Sequence, residues 1–164
     1  MINIGDRLPE ATLFETTEFG EACPLSPQPV SVTAATKGKR IVIFGLPGAY
    51  TPTCSAQHVP GYLKHLDALK AKKVDEVWCV AVNDGFVMAA WGRDEKAIGK
   101  IRFLGDGSAD FTKKLGLELD LTSGGMGLRM KRCSMLVEDG VVKSLNVEVK
   151  GFQVSNAETM LEQV

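Results

Sequence analysis

The chain has 164 residues, 45% of them apolar and 24% charged, the balance of an ordinary soluble globular domain; disorder is excluded as its main state. Nineteen Lys and Arg face twenty Asp and Glu, a formal net charge of −1 with no block of like charge. Neither a general nucleic-acid surface nor an acidic-membrane surface is therefore supported, which leaves only a local patch open.

No repeat, low-complexity tract or long linker divides the sequence, so residues 1–164 read as a single domain. The first 38 residues, rich in Pro, Thr and Gly, predict short strands and turns, one of them around Ala11-Thr12-Leu13-Phe14. Lys39 to Gly45 is a β-branched run apolar on both faces, as a buried central strand requires. A Pro/Gly loop from Leu46 to Cys54 follows. Val59, Tyr62, Leu63, Leu66 and Leu69 then form one helical stripe, with a kink expected near Pro60, whose nitrogen carries no proton. Val74 to Val82 predicts a second buried strand, and Asn83 or Asp84 caps a helix through about Ile98. Lys100 to Leu104 is a third strand, after which Ser108 caps a short helix stopped by Gly116.

The glycine-rich stretch Ser123 to Gly127 reads as a loop leading to Leu128-Arg129-Met130-Lys131-Arg132. Cys133–Val137 and Val141–Val149 flank Glu138-Asp139-Gly140, a hairpin signal, and Ser155 with Glu158 predicts a capping box for a last helix. This order predicts an α/β fold, a central mixed β-sheet with helices on both faces and an antiparallel hairpin at one edge.

Sites in open α/β sheets gather at the carboxyl ends of strands, which directs attention to the loop ending in Cys54. A free thiol is only about 3% ionised at pH 7, so a nucleophilic cysteine needs its anion stabilised. A helix start contributes about 0.3–1 kcal/mol, so a nearby cation or several hydrogen bonds must add to it. Thr51 lies three residues earlier, where its hydroxyl can sit beside the sulfur; Pro47 and Pro52 stiffen the loop and Gly48 permits close backbone approach. Without more than this pattern, an inert buried cysteine at a helix start is the competing reading, a somewhat weaker one.

Pro47-x-x-x-Thr51-x-x-Cys54 resembles the active-site motif of the peroxiredoxins, thiol peroxidases with a thioredoxin-like fold. The stretch from Phe44 to Gly61 looks like the type II group, often linked to glutathione or glutaredoxin; Val80-Ala81-Val82-Asn83-Asp84, Trp91, Gly127-Leu128-Arg129 and Val154-Ser155-Asn156-Ala157 fit it too. The resemblance implies that Cys54 is the peroxidatic nucleophile and that Thr51 and Arg129 complete its site; Lys131 and Arg132, with no comparable claim, read as a solvated face, and His58 and His65 as polar-face residues. It implies reduction of hydrogen peroxide and alkyl hydroperoxides without metal or organic cofactor, recycling by glutathione/glutaredoxin or by thioredoxin, and a homodimer.

Cys79 is a candidate resolving thiol, although its strand reads as buried; Cys133 and Cys23 have weaker claims, and no cysteine follows Cys133. Four widely spaced cysteines are not a disulfide framework, and Met1 to Pro9 lacks the basic stretch and apolar core of a signal peptide. A cytoplasmic location with reduced thiols is the expectation. Three other readings stay in view: a disulfide oxidoreductase, although Thr51 stands where such enzymes carry a second cysteine; a metal module built on Cys54 and His58; and a redox relay passing oxidation to a partner protein.

Overall fold

Runs that are apolar on both faces form the middle of the sheet. In the computed structural model, which describes residues 1–164, the strands are β1 (Thr12–Glu15), β2 (Gln28–Ser31), β3 (Arg40–Gly45), β4 (Glu76–Ala81), β5 (Arg102–Gly105), β6 (Glu118–Leu121), β7 (Gly127–Met130), β8 (Cys133–Glu138) and β9 (Val141–Val147). Seven of them make one sheet in the order β2-β1-β5-β4-β3-β8-β9. Its centre is parallel, β3 with β4 and β4 with β5, while the outer pairs run antiparallel. Asp139 and Gly140 (φ 48° and 77°) close the β8–β9 hairpin in the left-handed conformations that match strand twist.

Alternate residues of the central strands point into two separate cores. Val42, Phe44, Cys79 and Ala81 pack with α2 (Val59–Lys64), α3 (Leu66–Ala71), α4 (Gly85–Asp94) and α6 (Ala157–Gln163). Ile41, Ile43, Trp78 and Val80 pack on the other face with α1 (Val32–Thr36) and α5 (Asp110–Leu115). Helices thus cover both faces, the expected fold class.

Between β3 and α2 the chain makes a π-helical turn, Cys54–His58, closed by the Val59 N–H on the Cys54 carbonyl. The irregularity expected near Pro60 lies just before it, and a second bend at His65 (φ −101°, ψ 10°) separates α2 from α3.

Elsewhere the ends of elements depart from expectation. Helix α4 stops at Asp94 rather than Ile98 because Lys96 takes a positive φ of 58°. Ser108 does not cap α5: the buried Asp106 carboxylate accepts from the Phe111 and Thr112 N–H groups and the Thr112 hydroxyl. Nor does Ser155 cap α6: Asn156 accepts from the Thr159 N–H at 2.8 Å, and the Ser155 hydroxyl turns to Glu148. The glycine-rich stretch joins β6 to β7, a small separate sheet that the sequence did not suggest.

Candidate active site

Central strand β3 delivers the 46–54 loop to the middle of the sheet's carboxyl edge, and neighbouring elements tie it down. Asn83, in the turn between β4 and α4, accepts the Ala49 N–H at 2.9 Å. The Thr51 hydroxyl donates to the Gly48 carbonyl at 2.7 Å, which fixes its proton and leaves its oxygen lone pairs outward as acceptors. Arg129, on β7, donates from Nη1 to the Pro47 carbonyl at 3.2 Å and from Nε to the Met126 carbonyl at 2.8 Å. A Cβ on Gly48 would stand 2.6 Å from that Nη1, so a glycine is needed for the loop and the guanidinium to meet.

Cys54 opens the π-helical turn with no exposed surface. Its sulfur accepts from Arg132 Nη2 at 3.1 Å. The other terminal nitrogen, Nη1, reaches His58 Nδ1 at 3.0 Å, and His58 Nε2 reaches the Ser155 carbonyl at 3.1 Å. Burial first, and the Arg132 charge second, pull His58 down to about 3, so the ring is neutral at physiological pH.

Arg132 arrives there through strand register. Cys133 pairs with Gly45 across antiparallel β8 and β3, so the residue before Cys133 falls beside the loop that leaves Gly45. Arg132, Lys131, Pro47 and Thr53 share a groove of about 850 Å³ with the 147–153 segment, whose Phe152 ring centre lies 5.8 Å from the Arg132 guanidinium carbon.

Pro47, Thr51 and Cys54 thus meet in one loop as expected, but the cation at the sulfur does not match expectation. Arg129 braces the loop one step away, and the guanidinium on Cys54 belongs to Arg132, which does not point to a solvated face as expected. His58 is likewise buried rather than on a polar face, whereas His65 meets Glu158 at 3.0 Å nearer the surface. No three His, Cys, Asp or Glu side chains come together as a metal-binding group. Cys79 lies wholly buried on β4 in the core that holds Cys54; burial first, and the Cys54 charge second, push its thiol well above the usual range. Cys133 is buried too and is pushed up to about 12, while Cys23 is exposed.

The Redoxin family profile matches residues 3–161. The chain is 44% identical to Peroxiredoxin-2D of Arabidopsis thaliana over 98% of its own length and 97% of that protein. It is 50% identical to the mitochondrial Peroxiredoxin-2F of the same plant, over 78% of this chain and 65% of that one. Reduced Prx3 of Vibrio vulnificus, solved in complex with H2O2, superimposes with a TM-score of 0.91 at 48% identity, covering 99% of this chain and 98% of that one. Family profile, sequence identity over nearly the whole chain and superposition all agree: the chain belongs to the peroxiredoxins, in their type II group, the thiol-dependent peroxidases of the thioredoxin-like superfamily.

Proposed function

We propose that Cys54 is the peroxidatic nucleophile and that Arg132 and Thr51 bind and polarise the peroxide. The observation that carries this reading is the guanidinium Nη2 at 3.1 Å from the sulfur. A guanidinium beside the sulfur favours the thiolate over the thiol, and its planar fork can also hold a peroxide oxygen. The thiolate attacks one oxygen; an S–O bond forms as the O–O bond breaks, and the departing oxygen leaves with its electron pair. That oxygen is a poor leaving group unless its charge is met by donors as it develops. Arg132 and the Cys54 backbone N–H, which no acceptor of the chain takes, can supply them. The lone pairs of Thr51 Oγ1 accept the peroxide O–H, because the threonine proton is committed to Gly48. The departing oxygen takes up a proton to give water or an alcohol, and Cys54 becomes a sulfenic acid.

Recycling requires a thiol to attack the sulfenic sulfur, forming a disulfide and releasing water; a second thiol then restores Cys54. The burial of Cys79 supports an external reductant, because a thiol held protonated inside β4 is a weak nucleophile. Glutathione with glutaredoxin is the favoured source and thioredoxin the second; hydrogen peroxide and alkyl hydroperoxides are the substrates. A homodimer in the cytoplasm completes the reading, and sedimentation at micromolar chain tests its assembly.

The deciding experiment follows peroxide consumption by wild type and Cys54→Ser with the two reductant systems supplied separately. Wild type should turn over best with glutathione and glutaredoxin, and Cys54→Ser should be inactive in both. Substantial peroxidase activity in the serine variant would remove Cys54 from the mechanism.

A further inference from the structure

Arg132 faces two environments. One side meets the buried sulfur; the other lines the open groove beside Phe152, where water can solvate a guanidinium. A flexible arginine at such a boundary needs something to hold it inward. His58 lies on the inner side, on the same π-helical turn as Cys54, and its Nδ1 is 3.0 Å from Arg132 Nη1. A guanidinium has no acceptor atom, so Nδ1 must present its lone pair; Nε2 faces a carbonyl, so it must carry the proton. The two contacts fix the tautomer together.

We propose that His58 is a positioning residue: it accepts from one terminal nitrogen of Arg132 and thereby turns the other onto the Cys54 sulfur. The inference rests on the Cys54–Arg132 reading above. The support continues outward from the ring. The Ser155 carbonyl that takes the Nε2 proton also accepts from the Tyr62 hydroxyl at 3.0 Å, and Phe44 and Phe152 hold the ring at centroid distances of 4.8 and 4.9 Å. Glu148 fixes Ser155 in turn, accepting its N–H at 2.8 Å and its hydroxyl at 2.7 Å, with further bonds from the Gln153 and Val154 N–H groups. The loop between β9 and α6 is thereby connected to the sulfur through three side chains, Glu148, His58 and Arg132.

Two amides separate this role from simple packing. Asn at 58 places an oxygen near the Nδ1 position and keeps the acceptor for Arg132; Gln places its nitrogen near Nε2 and keeps only the donor to Ser155. Each variant is measured for its rate constant with hydrogen peroxide and for the pH profile of Cys54 alkylation by iodoacetamide, both normalised to the folded fraction by circular dichroism. Without its acceptor that half-buried guanidinium N–H loses its partner and turns toward the groove. His58→Gln should therefore slow the peroxide step about tenfold or more and move the alkylation midpoint upward by about one pH unit. His58→Asn should stay within about threefold of wild type on the same argument. Equal losses in both variants, or unchanged kinetics in His58→Gln, overturn the proposal. Arg132→Lys, measured alongside, distinguishes the two levels: if it too leaves the peroxide step unchanged, the underlying Cys54–Arg132 reading fails. If Arg132→Lys is slow while His58→Gln is not, only the role of His58 falls.

Discussion

A guanidinium does at this sulfur what an ammonium cannot. Arg132 spans Cys54 and His58 with two nitrogens of one rigid plane, whereas a lysine brings a point charge on a flexible stem and loses one contact when it makes the other. Arg132→Lys should lower the second-order rate constant with peroxide by about a hundredfold, the scale of losing one preorganised donor at a developing oxyanion. Arg129→Lys breaks bonds to the Pro47 and Met126 carbonyls instead, so it loosens the loop without removing charge from the sulfur. Its rate should fall no more than about tenfold, within the cost of one or two hydrogen bonds. Stopped-flow measurement of both variants checks the assignment, and the reverse ranking would return the site to Arg129. At the third position, Cys79→Ala should keep steady-state turnover with an external thiol near the wild-type value; a collapse of turnover, with the peroxide step intact, would make Cys79 the resolving thiol.

The active loop is held by the elements beside it more than by its own bonds. Gly105, at the end of β5, lies under the β4–α4 turn: a Cβ there would stand 2.6 Å from the Asn83 carbonyl oxygen and 2.8 Å from the Asp84 carbonyl carbon and the Gly85 nitrogen. Those are backbone atoms that cannot swing aside. Gly105→Ala should destabilise the fold by about 1–3 kcal/mol, as overpacked interiors do. It should also displace Asn83, whose side-chain oxygen holds the Ala49 N–H, and so slow the peroxide step. Urea denaturation and the peroxide rate constant read the two effects, and a variant as stable as wild type would show that the turn yields freely. The same scale explains what could be read before the structure. Strands β3, β4 and β5 were legible because residues apolar on both faces fit only the middle of a covered sheet. The caps were not: Ser108 and Ser155 have the right residue type, but Asp106 and Asn156 reach the free N–H groups. Arg129 and Arg132 could not be ranked from spacing, since the choice depends on β8 lying against β3 with Cys133 opposite Gly45. Strand pairing between segments so far apart is a property of topology, not of local pattern.

Across the whole molecule, the network that shapes the site also sets how stability responds to acid. His58 is held neutral inside the fold at about 3, while in the unfolded chain it titrates near its ordinary 6.5. Between those values the unfolded state binds more protons, so stability rises with pH across the window and is lost as pH falls below about 6.5. From pH 7 to pH 5 the loss is about 2 kcal/mol, integrated over that window. For a chain of this size that lowers Tm by roughly 4–8 °C. A second window lies lower. Glu76, bonded to Lys39, Arg102 and Trp78, is held at about 2 against an ordinary 4.5, so its contribution is present above pH 4.5 and fades only beneath it. Calorimetry of wild type and His58→Asn from pH 7 to pH 4 separates the two. The variant lacks the titrating imidazole and should show a nearly level Tm down to about pH 5, where wild type has already begun to fall. Groups common to both proteins cancel in the comparison. A wild-type Tm as level as that of the variant between pH 7 and pH 5 would mean that the ring takes up its proton in the folded state. It would then repel the guanidinium it faces, and the route from the outer loop to the sulfur would be open.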